Sequence, residues 1–389
     1  MPQSPVNKKL IRITTVPMAL RYLLPGQMRF MSENGFDVLM ISADGKELNE
    51  VIEHEQCRHI IVPMTRKITP FHDLSCLFRL IKIFRKERPD IVHTHTPKAG
   101  LLGMIAARLC GVRIRIHTVA GLPMMVEKGF KYRLLKFTER LTSAAATQVW
   151  PNSNSLQEYI IRHRLANPKK LRVIGKGSTN GIDLDDFNRE GLDENTILTA
   201  KAVLRYSPTL KYLLYAGRLV ADKGLVELMH VFFTLRKENS FLRLILVGDF
   251  ENSLDPLPAD ILHEIESDPS VIRISWTNDV KYYMHLAGFF IFPSHREGFP
   301  NVLLQAGAME LPILCSRIPG NTDLVNDQET GLIFETGNER HMVEQARYAF
   351  THSQELRIMS ANLLRNIREN YRRENIWQNI LNAYKSLVN

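Results

Sequence analysis

Short apolar runs alternate with amphipathic stretches along the whole chain. Within 73–87, for example, Leu74, Leu77 and Phe78 recur at three- and four-residue spacing, which predicts a helix with one apolar face. Shorter apolar runs lie between such stretches, and the alternation predicts an α/β fold with parallel sheets. The predicted strands cover residues 9–15, 37–42, 59–62, 90–94, 113–118, 147–150, 171–174, 212–216, 242–247, 271–274, 289–292, 312–315 and 331–334.

These strands fall into two cycles separated by a polar segment. Residues 175–206 are rich in Gly, Asn, Asp and Ser and have no long apolar run, which indicates a linker. We therefore predict two doubly wound, Rossmann-like domains, 1–185 and 186–389. They are expected to face each other across a cleft at the carboxyl ends of both sheets, where such folds bind ligands. The last segment, 373–389, has an amphipathic stripe and should form a helix that packs against a domain, with the N-terminal domain as one place for it.

The composition is that of an ordinary globular protein. The 389 residues are 44% hydrophobic and 23% charged, and the chain is long enough for two domains. The polar start predicts no secretion signal, and no stretch approaches the roughly 18 apolar residues of a membrane span. The four cysteines are scattered without metal-ligand spacing, which favours reduced thiols in a cytoplasmic protein.

Charge is divided unevenly between the two halves. Residues 1–180 contain 29 Lys and Arg against 13 Asp and Glu, a net of +16, and the remainder contains 21 against 28, a net of −7. The basic half predicts contact with an anionic surface, and phospholipid headgroups attract basic segments. Nucleic acid fits electrostatically, but the basic residues lack an interleaved aromatic platform, so we expect no nucleic-acid partner. A solvated basic face without a partner is the alternative.

Two cations follow the first predicted strand of the second domain. Arg218 and Lys223 lie in the segment Y-A-G-R-L-V-A-D-K-G-L, between the strand end at Gly217 and a helix that Asp222 is predicted to cap. An Arg offers a fork of donors and a Lys a point charge, a combination that suits a diphosphate. Taken in isolation, the pair would more readily be interpreted as ordinary surface residues.

A second polar loop follows the strand 289–292. Its sequence, P-S-H-R-E-G-F-P-N, places Glu297 just before a helix predicted to start near Pro300. The unpaired N–H groups at the start of this helix offer an anion site. Glu297 is placed to accept hydrogen bonds from sugar hydroxyls, and Gln305 lies further along the same helix.

Taken together and in order, these segments resemble glycosyltransferase family 4. The resemblance is carried by G-R-x-x-x-x-K-G at 217–224, S-x-R-E-G-F-P at 294–300, I-P-G-N at 318–321 and T-G-L-I-F at 330–334. In the first half, L-P-G-Q-M-R-F at 24–30, D-I-V-H-T-H-T-P-K-A-G at 90–100 and G-K-G-S-T-N-G-I-D at 175–183 resemble the branch that assembles capsule and O-antigen repeat units. The family has the GT-B fold, which is two Rossmann-like domains, and retains the anomeric configuration of the donor sugar.

The resemblance implies roles for residues of the second domain. Arg218 and Lys223 would bind the donor diphosphate, and Glu297 would be the first acid of the family's E-x7-E element, next to the transferred sugar. At the position of the second acid, which holds the ribose, this chain has Gln305. The paired cations make a metal unnecessary, so we expect neither metal nor other cofactor. The backbone that would line the sugar and phosphate site comes from Gly298, Phe299, Pro300 and Asn301.

Acceptor-side candidates lie in the first domain. Pro25-Gly26 takes the place of the Gly-Gly pair of many relatives, and His117 begins an H-T-V-A-G loop with Ala120 where many relatives have His. His93 and His95 are predicted to face opposite ways, so that only His95, together with Lys98, is assigned to the acceptor side.

The function that the resemblance implies is transfer of a sugar, with N-acetylhexosamine as the expected class, from a UDP-sugar to a polyprenyl-diphosphate-linked saccharide. We expect the enzyme to be peripheral at the cytoplasmic face of the cell membrane, held there by its basic N-terminal domain. Two alternatives stay open. A UDP-N-acetylglucosamine 2-epimerase has the same double-Rossmann shape, and a non-catalytic binding subunit is supported only by Gln305.

Overall fold

The computed structural model describes residues 8–251 and 255–388. The chain divides into two compact units. Unit 1 extends to Asn180 and includes the C-terminal segment from Arg373 onward, and unit 2 is Gly181–Arg372. The division lies five residues before the predicted one at 185, and the C-terminal segment joins the first unit.

Unit 1 is built on a six-stranded parallel sheet in the order β3-β2-β1-β4-β5-β6. The chain returns to the middle of the sheet after β3, which is the doubly wound arrangement. Residues 171–174, predicted as a strand, form only an isolated bridge between Leu171 and Val149, so this prediction was wrong. The strands are β1 Lys8–Ile13, β2 Phe36–Ser42, β3 Arg58–Ile61, β4 Ile91–Thr94, β5 Ile114–Val119 and β6 Gln148–Pro151.

Unit 2 repeats the plan with the order β12-β11-β10-β7-β8-β9, again all parallel. Apart from the edge strand β9, its strands are almost entirely buried, as expected for a sheet covered by helices on both faces. The predicted two-domain α/β fold is therefore confirmed. The strands are β7 Lys211–Ala216, β8 Leu242–Val247, β9 Val271–Ile274, β10 Phe289–Phe292, β11 Ile313–Ser316 and β12 Leu332–Phe334.

Helices connect the strands in both units. In unit 1 they are α1 Pro17–Leu23, α2 Gln27–Glu33, α3 Leu48–Glu55, α4 Pro70–Glu87, α5 Pro97–Leu109, α6 Gly129–Ala145 and α7 Asn154–Arg162, and unit 2 follows with α8 Glu194–Leu204, α9 Leu225–Glu238, α10 Ala259–Ser267, α11 Val280–Leu286, α12 Asn301–Ala308, α13 Asn321–Leu324, α14 Glu339–Thr351 and α15 Ser353–Asn370. The last helix, α16 Arg373–Val388, belongs to unit 1. None of the helices in 8–251 and 255–388 is long and apolar enough to cross a membrane.

The segment predicted as a linker contains a helix. The side chain of Asp193 caps α8 by accepting from the backbone N–H of Thr196, and α8 buries only Ala200 and Leu204. A helix with so small a buried face leaves little periodic signal, so the polar composition of 175–206 hid it.

Helix α16 completes the core of unit 1. The apolar side chains of Ile376, Ile380 and Leu381 are buried against residues of the sheet and of α2. The hydroxyl of Tyr384, fully buried, lies 2.5 Å from Nη1 of Arg12 and 2.5 Å from Nδ1 of His93. The amphipathic stripe therefore has the role predicted for it, packing against a domain.

Candidate functional site

The sheet of unit 2 has its topological switch point between β7 and β10. These strands are neighbours, and from them the sheet grows in opposite directions, through β8 on one side and β11 on the other. Doubly wound sheets bind ligands in the crevice that this reversal opens at the carboxyl ends of the strands. Arg218 and Lys223 follow β7, and Glu297 follows β10, so the predicted donor residues all lie at this point of unit 2.

Two glycines let the backbone turn sharply at the ends of the neighbouring strands β7 and β8. Gly217 has a φ of 153° and Gly248, which follows β8, has a φ of 147°. A Cβ atom on Gly248 would lie 1.9 Å from the carbonyl oxygen of Gly217, so only glycine fits where these two chains meet. The hydroxyl of Tyr215 donates to the carbonyl oxygen of Arg218 at 2.9 Å. The backbone that carries Arg218 is thereby fixed from both sides.

A third glycine brings the β7 loop against the β10 loop. Gly224, with a φ of 72°, precedes α9, and a Cβ there would lie 2.2 Å from the carbonyl oxygen of Pro293. The ammonium group of Lys223 consequently reaches Oε1 of Glu297 at 2.5 Å. The hydroxyl of Ser294 donates to the same carboxylate oxygen at 3.1 Å. Both members of this ion pair are largely buried.

Asp222 does not cap a helix, contrary to the prediction. Residues Ala221–Lys223 form a single 3-10 turn, and α9 starts only at Leu225. The carboxylate of Asp222 instead accepts from the guanidinium group of Arg296 at 2.6 Å, which adds a second link between the two loops. The local sequence around Asp222 could not reveal this bond, because Arg296 lies 74 residues away.

Each cation of the site has an acid beside it. Arg218 pairs with Glu251, and Nε2 of His295 lies 2.9 Å from Oε1 of Glu227. This hydrogen bond raises the pKa of His295 above its ordinary value, although burial opposes the effect. Glu251, Glu227 and the Arg296–Asp222 pair were not predicted from the sequence, because none of these acids lies in the motif of its partner.

Helix α12 starts at Asn301, one residue after the predicted position. The preceding residues Gly298, Phe299 and Pro300 are buried, and a Cβ on Gly320 would lie 2.7 Å from the carbonyl oxygen of Gly298, so the loop after β11 closes on them. Gln305, half-buried on α12, makes no side-chain hydrogen bond within the described ranges. Its amide is available to a ligand.

In unit 1 the rings of His93 and His95 lie 4.4 Å apart, and both line one small cavity that also borders Trp150. The prediction that these histidines face opposite ways was wrong, because positions two apart along a strand point to the same face. Nδ1 of His93 is bonded to Tyr384, and Nε2 lies 2.7 Å from Oγ1 of Thr118. Among the described residues, neither ring nitrogen of His95 nor Nε1 of Trp150 has a hydrogen-bond partner.

Two further acceptor-side candidates are held by contacts inside unit 1. The ammonium group of Lys98 contacts Oδ1 of Asp73 at 2.7 Å and also binds oxygen atoms of the loop before α4. His117 is buried, with Nδ1 at 2.9 Å from Oγ1 of Thr94, and burial lowers its pKa to about 4. A Cβ on Gly100 would lie 2.4 Å from this ring, which shows how tightly His117 packs.

Gly26 is also committed to contacts inside unit 1. Its N–H donates to the buried carboxylate of Glu55 at 2.5 Å, and the same carboxylate accepts from the N–H groups of Met28 and Arg29. The indole of Trp377 covers Gly26, since a Cβ there would lie 2.6 Å from the ring. The N–H groups at the start of α2 are thus occupied by the carboxylate of Glu55.

Comparison with known proteins identifies the family. Residues 26–177 match the family described as "Glycosyl transferase 4-like domain", and residues 210–352 match "Glycosyl transferases group 1". The sequence is 34% identical over 387 residues, 98% of both chains, to "Capsular polysaccharide biosynthesis glycosyltransferase CapM" of Staphylococcus aureus. This chain is a family 4 glycosyltransferase.

Two more comparisons extend this result. The glycosyltransferase is 27% identical over 353 residues, 86% of this chain and 85% of the relative, to "UDP-Gal:alpha-D-GlcNAc-diphosphoundecaprenol alpha-1,3-galactosyltransferase" of Escherichia coli. Its fold matches that of Anabaena HepE, solved in complex with UDP and glucose, with a TM-score of 0.79, 15% identity and coverage of 97% of this chain and 100% of that one. At this identity the structural likeness concerns the fold, which is GT-B as predicted.

Proposed function

We propose that the enzyme transfers a sugar from a UDP-sugar to a polyprenyl-diphosphate-linked saccharide, with retention of configuration, during assembly of a capsular or related surface polysaccharide. The observation that carries the proposal is the Lys223–Glu297 ion pair beside Arg218 at the switch point of unit 2. The names of the two relatives support a capsular product, a UDP-linked donor and a diphosphoundecaprenol acceptor. N-acetylhexosamine is the sugar class that we expect.

Arg218 and Lys223 can bind the donor diphosphate and still keep their ion pairs with Glu251 and Glu297. An ammonium group has three N–H donors, and Lys223 directs one of them to Glu297. Its contacts with Oγ of Ser294 and with the carbonyl oxygen of Arg296 are both 3.5 Å long and can give way to a ligand. A guanidinium group has five, and Arg218 uses Nη1 toward Glu251. The remaining donors would bind diphosphate oxygens, whose charge grows as the bond to the sugar breaks. Arg218 and Lys223 thus supply positive charge at the leaving group, so we expect no metal and no other cofactor to be required.

Retention follows if the acceptor attacks on the face from which UDP departs. The acceptor hydroxyl oxygen forms the new bond to the anomeric carbon, while the bond from that carbon to the diphosphate oxygen breaks and its electron pair stays on UDP. The hydroxyl proton passes to a diphosphate oxygen, so the protein need not supply a nucleophile. Glu297 would orient the sugar by accepting from its hydroxyls, and the protein contributes mainly positioning and charge.

Ribose and acceptor contacts complete the proposal. Gln305 would bind a ribose hydroxyl through its amide, which both donates and accepts. On the acceptor side we retain His95, because its ring nitrogens are unbonded within the described residues and border a cavity. Gly26, Lys98 and His117 would support the acceptor region by holding its loops in place. The enzyme would act as a peripheral protein at the inner face of the cell membrane.

The test begins with a donor screen by thermal shift, since a ligand that binds only the folded state raises the melting temperature. Donors that stabilise the protein are then incubated with GlcNAc-diphosphoundecaprenol, and nuclear magnetic resonance of the product gives the anomeric configuration. We expect an α-linked, lengthened lipid-linked saccharide and UDP. An epimerised nucleotide sugar formed without acceptor would instead identify a 2-epimerase. Turnover that appears only after Gln305→Glu would identify a binding subunit.

A further inference from the structure

Helix α4 exposes a row of large apolar side chains. Phe71 is 93% exposed and Phe78 is 61% exposed, and Leu74, also exposed, lies between them at helical spacing. A shallow groove runs along this row. Monomeric soluble proteins expose such side chains singly as a rule, and a contiguous row marks an interaction surface.

Helix α6 repeats this arrangement. Phe130 is 80% exposed, Phe137 is 62% exposed, and Leu141 follows them one turn later. Both α4 and α6 pack against α5, so their outer faces belong to one helical layer of unit 1. We call the outer surface of α4 and α6 the aromatic face.

The charge around the aromatic face is positive. Both acids of α4 form ion pairs with residues outside the helix, Asp73 with Lys98 and Glu87 with Lys9. On α6 the only acid, Glu139, is buried, and Glu127, which lies just before α6, is paired with Lys131. The exposed charged side chains of the two helices are therefore cationic, and they include Arg79, Lys82, Arg85, Lys86, Lys131, Arg133 and Arg140.

The aromatic face also lies near the ligand-binding edge of the sheet. Phe71 and Phe130 are each the second residue of their helix. Helix α4 lies between β3 and β4 in the chain, and helix α6 follows β5. In a parallel sheet, a helix that connects two strands begins at the carboxyl edge of the first and runs back along the sheet, so both helices begin at this edge. This is the edge at which a doubly wound sheet receives its ligand.

We propose that the aromatic face docks unit 1 on an anionic phospholipid bilayer, with Phe71, Phe78, Phe130 and Phe137 inserted at the level of the headgroups. Exposed aromatic rings combined with surrounding Lys and Arg are the features of surfaces that lie in the membrane interface. The inference deepens the proposed function, because an enzyme seated in this way receives a lipid-linked acceptor at the edge of its sheet. The bilayer is preferred to a second copy of the chain, since two such cationic surfaces would repel each other.

The experiment measures binding of the full chain to vesicles by flotation, without donor or acceptor. Vesicles of phosphatidylcholine alone are compared with vesicles of phosphatidylcholine and phosphatidylglycerol. We expect binding only to the anionic vesicles, weakened by salt, and weakened at least about tenfold in Phe71→Ser/Phe130→Ser and in Arg79→Glu/Lys82→Glu. The matched controls, Leu198→Ser/Phe241→Ser and Lys237→Glu/Arg340→Glu, change exposed residues of unit 2 and should bind as the unmodified protein does.

The outcomes separate this inference from the proposed function. Equal binding by the aromatic variant and by its control would overturn the docking surface, even if transfer proceeds. Binding that depends on the aromatic face, in a protein that transfers nothing, would leave the docking surface in place and remove the function. A dimer in solution that Phe71→Ser/Phe130→Ser converts to a monomer, with vesicle binding unchanged, would assign the face to a second copy and also overturn the proposal.

Discussion

Lys223 and Glu297, 74 residues apart in the chain, form an ion pair with 2.5 Å between Nζ and Oε1. The pair joins the loop after β7 to the loop after β10, and Ser294 adds a hydrogen bond to the same carboxylate oxygen. One interaction thereby sets the positions of both residues, the cation proposed for the diphosphate and the acid proposed for the sugar. Changing either residue disturbs the other.

We predict that Lys223→Ala lowers kcat/KM by about a hundredfold or more, the usual effect of removing a group that stabilises charge in the transition state. Lys237→Ala, which alters an exposed lysine of unit 2, is the control and should have no effect. Initial rates of UDP release over a range of donor concentrations measure both. Because Lys223 and Glu297 are coupled, Lys223→Ala/Glu297→Gln should cost less than the two single effects combined. A loss below threefold in Lys223→Ala would argue against its role at the diphosphate.

Gln305 provides a second prediction, on donor affinity. Gln305→Ala should raise the Kd for UDP by about fivefold to tenfold, which corresponds to about one lost hydrogen bond of 1 kcal/mol or slightly more. Gln305→Glu should bind UDP at least as well as the unmodified enzyme, because a carboxylate accepts more strongly from a hydroxyl. Calorimetric titration measures the three constants. Gln345→Ala on α14 is the matched control, and an equal Kd for Gln305→Ala and this control would remove Gln305 from the donor site.

A third prediction concerns the buried contacts of α16. The hydroxyl of Tyr384 accepts from Arg12, so its own proton goes to Nδ1 of His93. His93 is then neutral and donates from Nε2 to Thr118, which agrees with a pKa lowered by burial and by the charge of Arg12. Tyr384→Phe leaves a buried guanidinium and a buried ring nitrogen without this partner and should lower the free energy of unfolding by about 3 kcal/mol.

Urea denaturation followed by circular dichroism measures this effect, with Tyr206→Phe in unit 2 as the control. The unfolding transition of unit 1 should move to lower urea, while that of unit 2 stays in place. Unchanged stability in Tyr384→Phe would mean that the hydrogen bonds of α16 contribute little and that its apolar stripe alone holds it.

Glu139 gives a prediction on pH. Burial raises the pKa of its carboxyl group from 4.5 to about 7. The unfolded state therefore loses this proton first as the pH rises, and the folded state is destabilised progressively between pH 4.5 and 7. Above that range the cost reaches about 3 kcal/mol, since each unit of pKa corresponds to 1.36 kcal/mol.

Glu139→Gln removes the titrating group and should raise the free energy of unfolding by up to about 3 kcal/mol at pH 8, with almost no change at pH 4.5. Urea denaturation at both pH values is the measurement, and Glu158→Gln on the exposed surface of α7 is the control. The same gain at both pH values would show that packing, and not the charge of Glu139, is responsible.

The sequence predicted a strand or helix correctly where the element buries an unbroken run or stripe of apolar side chains. Strands β8 and β10 have the predicted bounds, because short apolar runs between polar residues leave little choice for strands buried on both faces. The edge strand β9 also has the predicted bounds, although it is partly exposed. Helix α8 and residues 171–174 were misassigned for the opposite reason. The helix buries only two side chains, and the apolar residues of 171–174 pack next to β6 without a ladder of hydrogen bonds.

Local patterns in the sequence were enough to predict which strand end carries each proposed donor-site residue. The local signals that place Arg218, Lys223 and Glu297 are the apolar runs, the glycines and the proline next to them in the sequence. Such signals act over only a few residues. Which side chains meet depends on tertiary packing, because the partners lie far apart in the chain. His93 and Tyr384, for example, are 291 residues apart. When distant segments pair as parallel strands, the loops at the ends of these strands also become neighbours. The local sequence of one loop gives no information about the residues of the other. Within residues 8–251 and 255–388, the same packing leaves both ring nitrogens of His95 without a hydrogen-bond partner beside a cavity, whereas His117, Lys98 and Gly26 are held in contacts of the fold.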